Sequence, residues 1–486
     1  MPAHAVPFVR PSIPNRDARL EPLREKVVRG QRLTLAEGEL LFTTADVWGV
    51  LEMADLVRRR LHGDVAYYNI NRHLNYSNVC ALSCKFCEFY ARDGDAKAYT
   101  RDLAYIREEA RQAVEAGATE IHSVGGLHPT LPFSYYTDLV ATLRDEARRL
   151  GSDLHVKAFT AVEIVHLAKI ARQYKGASLP GPEGRAARRE GIRWVLSRLK
   201  EAGLGSLPGG GAEVFDDRVH DEAFKGKIRS DVWLDVHRVA HELGLNTNAT
   251  LLYGHVESRR DRLVHMEMLR RAQDEALARM GYEGEETKFR RDAETKGGEG
   301  GNGHLGYHGD DSAAPVITLT RPGTPLPERV AFSPPGARHA ASTSSPRLSG
   351  TSSLSCGYYQ TIIPLPFFPD GCDLERLPGP GGLENYRTMA VARLMLDNFP
   401  HVKAFWIMQT LPMAQIMLQS GADDIDGTVV WYDITKVGGS GTHQETSVST
   451  LQGAIREAGF TPVERDTLYR RVVRDAADGR AWRVEA

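Results

Sequence analysis

The chain of 486 residues is long enough for a large core, and 42% of it is hydrophobic, an ordinary share for a globular protein. A formal net charge of −2, from 61 Lys and Arg against 63 Asp and Glu, excludes nucleic acid or an acidic membrane surface as a partner selected by bulk charge. Five cysteines, three of them clustered at Cys80, Cys84 and Cys87, exclude a disulfide framework and imply a reducing compartment, here the cytoplasm. Residues 1–20 carry Pro and Arg without an apolar h-region, and no run of about eighteen apolar residues follows, so neither a secretory signal nor a membrane span is expected.

Residues 1–37 read as a polar N-terminal arm. The spacing of Leu40, Leu41, Val47, Val50, Leu51, Met53 and Leu56 predicts a helix from Gly38 to Leu61. A strand is predicted over Val65–Leu74, running straight into the cysteine loop. Further β-type runs fall at Thr119–Val124, Leu154–Phe159, Thr247–Tyr253, Tyr358–Pro364, Lys403–Met408 and Gly427–Trp431. Amphipathic helices are predicted among them at Ile106–Ala116, Tyr135–Leu150, Ile192–Ala202, Val232–Leu243, Arg259–Ala276 and Thr388–Phe399. Ser206–Gly211 puts a glycine-rich segment where one further strand would fall. Strand and helix in alternation imply parallel pairing, and the count suits an α/β fold of the TIM type, a (β/α)8 barrel.

Residues 38–276 would supply the first part of that barrel, and residues 357–486 the second part with a C-terminal extension. Between them, residues 277–356 are poor in large apolar side chains and rich in Gly, Pro, Ser, Arg and Glu. Such a segment buries too little apolar surface to offset ordering, so it reads as a long disordered insert emerging from the N-terminal face. A shorter stretch, Lys175–Gly191, reads as a solvated loop.

Cys80, Cys84 and Cys87 form Cys-x-x-x-Cys-x-x-Cys on the loop after the first strand, at the face where such barrels carry their chemistry. Three thiolates can hold a [4Fe–4S] cube by three irons and leave the fourth open, whereas four would close it as in electron carriers. A zinc site is the bland alternative, but it needs four ligands, and Cys356 and Cys372 lie far downstream. Gly125 and Gly126 close the second strand and let backbone come close to a ligand, although turns need glycine too. Glu213, after Gly209-Gly210-Gly211-Ala212, suits ribose hydroxyls or an ammonium, or is a surface acid at a helix start. His255 ends the fifth strand and either binds a carboxylate or caps its loop. Arg72 and His73 are adjacent on the first strand, so at most one faces inward, and Lys157 lies on the third. Cations in a barrel mouth suit an acidic substrate, with a structural ion pair as the alternative.

The cysteine spacing, with Phe86 before the last cysteine, resembles the signature of radical S-adenosylmethionine (SAM) enzymes. Further strings look like the aminodeoxyfutalosine synthase family: Asn71-Arg72-His73-Leu74-Asn75, Ser206 to Glu213, Asn248 to His255, Gly421 to Thr428 and Pro462 to Tyr469. The chain departs from that family at Asn75-Tyr76-Ser77-Asn78 and at Phe86-Cys87-Glu88-Phe89, and Leu127 stands where many radical SAM enzymes carry an acid. The Tyr form of the first departure, with Phe89 to Asp95, is closer to the sister enzyme that cyclises dehypoxanthine futalosine, which is the alternative reading alongside a non-catalytic iron–sulfur protein. The resemblance implies a [4Fe–4S] cluster on Cys80, Cys84 and Cys87, and SAM as co-substrate contacted by Phe86, Gly125, Gly126 and Glu213. It implies addition of the 5′-deoxyadenosyl radical to 3-[(1-carboxyvinyl)oxy]benzoate, giving aminodeoxyfutalosine for menaquinone synthesis. The substrate is a dicarboxylate, for which Arg72, His73, Lys157 and His255 are the candidate contacts. An external flavodoxin or ferredoxin is the expected electron donor, and no catalytic acid, base or nucleophile is assigned.

Overall fold

Residues 16–282, 356–428, 445–475 and 479–485 are described by the computed structural model. The chain enters through helices α1 (Glu21–Arg29), α2 (Leu35–Thr43) and α3 (Val47–His62). Thr34 and Glu37 form a capping box that starts α2, and Asp46 accepts from the Gly49 amide to start α3. The helix predicted from Gly38 to Leu61 is therefore two helices, because Thr44 bonds the Asp46 amide and turns the chain between them. Residues 16–37 are no polar arm either: Leu20, Leu23, Val27 and Leu33 are buried in the main core.

Strands β1 (Val65–Asn69) and β2 (Asn71–Leu74) replace the single predicted strand. The alternation then runs α4 (Leu103–Glu115), β3 (Glu120–Ser123), α5 (Phe133–Arg149), β4 (His155–Ala158), α6 (Ala161–Ile170), α7 (Gly181–Ala202), β5 (Ser206–Leu207), α8 (Asp217–Ala223), α9 (Ser230–Glu242), β6 (Asn246–Tyr253) and α10 (Arg259–Arg279). It resumes with β7 (Tyr359–Pro366), α11 (Gly382–Met395), β8 (His401–Val402), α12 (Trp406–Gln409), α13 (Leu411–Met417) and β9 (Asp424–Gly427). The chain ends with α14 (Val448–Glu457), β10 (Thr461–Glu464) and the hairpin of β11 (Val472–Arg474) and β12 (Trp482–Val484).

Strands β2 to β8 form one parallel sheet in chain order. Beyond it, Lys403 bridges Asp424 of β9, and β9 pairs with β1. Since only Ile70 separates β1 from β2, these contacts close a ring of eight, the (β/α)8 barrel expected of the sequence. β10 adds to the outer side of β1 in parallel register.

Three boundaries differ from expectation. α7 begins at Gly181, inside the stretch read as a loop, because Gly184 and Gly191 let it lie against backbone: a Cβ there would sit 1.7 Å from the Leu179 oxygen and 2.1 Å from that of Gln173. The strand predicted at Lys403–Met408 falls instead just before that run, at His401–Val402, and the run itself turns helical at Trp406, whose indole donates to the Gly427 carbonyl. β9 lies over Asp424–Gly427, while residues 429–431 of that predicted strand lie outside the described residues. Of the insert expected over 277–356, residues 277–282 complete and follow α10, and 283–355 lie outside the described residues.

Candidate active site

A cavity of about 300 Å3 opens at the C-terminal ends of the strands, and Cys80, Cys84 and Cys87 all line it. The cysteine loop leaves β2 and is held by backbone pairing: Cys80 N–H donates to Ala91 O at 3.0 Å, and Ala91 N–H to Asn78 O at 2.8 Å. Cys80 Sγ accepts from the Leu82 and Leu127 amides, each at 3.4 Å. Amides aimed at a sulfur are what a cluster ligand uses to stabilise its thiolate. Burial pushes the free Cys84 thiol up to about 11, and Cys87 is raised for the same reason, and a cationic metal bound there would favour their thiolates. Among the described residues, the group whose ligand atoms all lie within 4.8 Å is His62, His401 and Asp423, not the three cysteines. Three thiols on one loop suit a multi-iron cube with an open iron better than a zinc ion, which takes four ligands. The residues present fit a [4Fe–4S] cluster.

Gly125 and Gly126 also line the cavity, and they are glycines because the cysteine loop presses on them. A Cβ on Gly125 would lie 2.6 Å from the Tyr76 ring, and one on Gly126 2.3 Å from the Val79 carbonyl oxygen. Glu163, which sequence reasoning missed, ties this corner together: it accepts from Tyr76 Oη at 2.7 Å, Gly125 N at 3.0 Å and Thr160 N at 2.8 Å. Burial raises its carboxyl pKa despite those donors.

Across the cavity, Phe86 packs edge-to-face on Phe224 at 5.0 Å, and the Lys227 ammonium lies 4.6 Å from the Phe86 ring centre. Lys227 also pairs with Glu213, which holds a left-handed backbone (φ 56°) and accepts from the Gly211 amide. Glu213 is thus a buried, paired acid on the cavity wall rather than a surface acid at a helix start. Burial alone would lower the Lys227 ammonium, but Glu213 and the thiols outweigh it and hold it above its ordinary value. Lys227 had no sequence signal beyond its position after the glycine-rich strand end.

Deeper in the barrel lies a polar floor. His73, His122 and Lys157 are register partners on β2, β3 and β4, and all three line the cavity with Lys403 and Asp426. Lys157 pairs with Glu120 at 2.6 Å, Lys403 with Asp426 at 3.0 Å, and Arg465 with Asp424 at 2.7 Å. Against the cost of burial, Lys157, Arg465 and Lys403 hold the Glu120 carboxyl well below the usual range. Burial pushes His73 down to about 4, and burial with His73 and Lys157 alongside drives His122 lower too, so both imidazoles are neutral. The missed residues His122 and Lys403 did leave a trace: Glu120 and His122 are polar at i, i+2, facing inward on a central parallel strand where apolar runs are the rule.

Two candidates lie elsewhere. Arg72 points out of the barrel, donating to Glu109 Oε2 at 2.6 Å and to Gln112 on α4. Period-two alternation sends it outward because it sends His73 inward. His255 caps its own loop: Nε2 meets Leu252 O at 3.2 Å, Nδ1 lies 3.2 Å from Glu257, and the ring packs on Phe224 and Phe367.

Comparison with known proteins agrees with this arrangement. The radical SAM superfamily profile matches residues 74–269, and that of the CofH/MqnC C-terminal region matches residues 356–477. An aminodeoxyfutalosine synthase of Thermus thermophilus is 36% identical over 476 residues, covering 97% of this chain and 99% of the relative. One of the same description from Streptomyces coelicolor is 33% identical and covers 92% of each. The crystal structure of methylornithine synthase superposes with a TM-score of 0.56 at 14% identity, covering 90% of this chain and 97% of that one, a likeness of fold.

Proposed function

The chain belongs to the aminodeoxyfutalosine synthase family of radical SAM enzymes, and we propose that its cavity joins SAM to 3-[(1-carboxyvinyl)oxy]benzoate to give aminodeoxyfutalosine in menaquinone synthesis. The observation that carries this reading is one cavity with three cysteines at its mouth and lysines at its floor. When bound, the [4Fe–4S] cluster supplies the electron that cleaves SAM to methionine and the 5′-deoxyadenosyl radical.

The protein's own work is placement. Cys80, Cys84 and Cys87 would hold the cluster and leave one iron for methionine. The Lys227–Glu213 pair, beside Phe86 and close to the thiols, complements the carboxylate and ammonium of the methionine end. Gly125 and Gly126 let the cysteine loop pack closely on the end of β3, which holds that wall of the cavity in place. His73 and Lys157, on the floor, are the substrate contacts we retain from the sequence. Apolar walls such as Leu252, Phe367, Phe405 and Met408 exclude water around a reactive radical. The overall conversion needs no proton abstraction by the protein, and no free acid or base is assigned.

A low-potential flavodoxin or ferredoxin in the cytoplasm is the donor we propose. Among the described residues no helix is long and apolar enough to cross a membrane. Anaerobically reconstituted protein given SAM, dithionite and the enolpyruvyl-oxybenzoate should yield an adduct carrying adenosine and the aryl group, read by mass spectrometry. Methionine and free 5′-deoxyadenosine without adduct would refute the synthase reading and turn attention to dehypoxanthine futalosine cyclisation.

A further inference from the structure

The cavity floor holds more polar chemistry than the barrel needs for stability. His122 lies on β3 between its register partners His73 on β2 and Lys157 on β4, and its Nε2 is buried with no hydrogen-bond partner among the described residues. A buried imidazole nitrogen left unbonded costs stability unless something else meets it. Lys157 also reaches the cavity, while its partner Glu120 does not line it, so the carboxylate stands behind the ammonium. An ammonium has three donors, and the ion pair with Glu120 uses one of them. Lys403 faces the same space from the residue just after β8, paired with Asp426.

We propose that His122, Lys157 and Lys403 form the seat for the benzoate carboxylate of the substrate, orienting the enol-ether double bond toward the cysteines. This rests on the synthase reading. In that reaction the vinyl carbon must meet C5′ of SAM, beside the cluster at the mouth, and the vinyl carboxylate leaves. The aryl carboxylate is retained, lies at the other end of the molecule, and so falls at the strand level below the loops. Three cations (Lys157, Lys403, Arg465) and three carboxylates (Glu120, Asp424, Asp426) make the floor neutral before substrate enters. An entering carboxylate therefore makes it acidic by one charge, and His122 is placed to answer as a donor, His73 lying 4.7 Å away ring to ring. A neutral aryl amide offers the same groups a carbonyl oxygen without the negative charge, so the ion–ion attraction to the two ammonium groups is lost.

The probes are 3-methoxybenzoate and 3-methoxybenzamide, titrated by calorimetry into cluster-loaded protein under anaerobic conditions. Wild type should bind the benzoate about tenfold or more tightly than the benzamide. In His122→Phe, and separately in the paired swap Glu120→Gln with Lys157→Gln, the preference should fall to about twofold or less. The paired swap removes both charges together and leaves no buried ion unpartnered, so it tests the seat even where a single change disturbs folding. Matching circular dichroism and iron content identify folded variants. Wild type without preference, or folded variants that keep it, would overturn the seat. Because these are binding measurements, a benzoate preference without adduct formation rejects the synthase reaction while upholding the carboxylate seat.

Discussion

A Cβ on Gly126 would lie 2.3 Å from the Val79 oxygen and 2.7 Å from the Val79 carbonyl carbon, both backbone atoms that cannot swing aside. That contact fixes the cysteine loop against the second strand's end, and the Gly126 amide donates to Ser77 O at 2.8 Å from the same place. Gly126→Ala should therefore displace the loop and lower iron bound per chain after reconstitution, with the barrel's circular dichroism retained; full iron loading would refute the packing role. His237 makes a different point. It stacks on Trp233 at 3.7 Å, neither ring nitrogen has a hydrogen-bond partner among the described residues, and burial pushes its pKa down to about 3. Its folded value lies below the unfolded value of about 6.5, so the unfolded state binds the extra proton and stability falls as pH drops below that value. His237→Phe removes both the orphan nitrogens and that linkage. The variant should match or exceed wild type in Tm at pH 8, and its advantage should widen by pH 5; a constant gap would contradict a neutral buried imidazole. Neither environment was legible from sequence, because a lone His or Gly carries no record of what lies against it.

Among the elements, α7 separates two physical readings of glycine. In an isolated helix Gly191→Ala would stabilise by about 1 kcal/mol. Here the added methyl would meet the Gln173 oxygen at 2.1 Å, and overpacking of that kind costs about 1–3 kcal/mol. Packing should win, so Gly191→Ala is expected to lower the urea midpoint without changing the slope; a rise would mean that the segment sits free of its neighbour. Composition made Lys175–Gly191 look like a loop because the glycines that permit close packing are the same residues that signal a turn. Strongly periodic elements were easier. The predicted helices Tyr135–Leu150, Val232–Leu243 and Arg259–Ala276 match α5, α9 and α10 to within a few residues, since each buries a continuous stripe. β1 and β2 were one run to the eye because their division depends on partners: β9 and β10 on one side of Ile70, β3 on the other.

At the scale of the whole molecule, the barrel was readable from alternation alone, and the cysteine triplet placed the chemistry at its C-terminal face. The floor was not, because Lys403, His122 and Asp426 come from distant strands and meet only on ring closure. The same topology bears on residues 283–355. They leave from the end of α10 and return just before β7, where the Gly357 amide donates to His241 O at 2.8 Å at the close of α9. The end of α10 and the start of β7 lie at the N-terminal face, with the barrel's length between these attachment points and the cysteines that follow β2. Both attachment points lie at that one face, so a short linker can rejoin the chain without stretching the barrel. Replacing residues 283–355 by a brief Gly-Ser bridge should leave iron content, SAM cleavage and adduct formation at wild-type levels, since loop closure depends only weakly on length. A deletion that folds and loads its cluster yet makes no adduct would mean that this segment reaches around to the catalytic face.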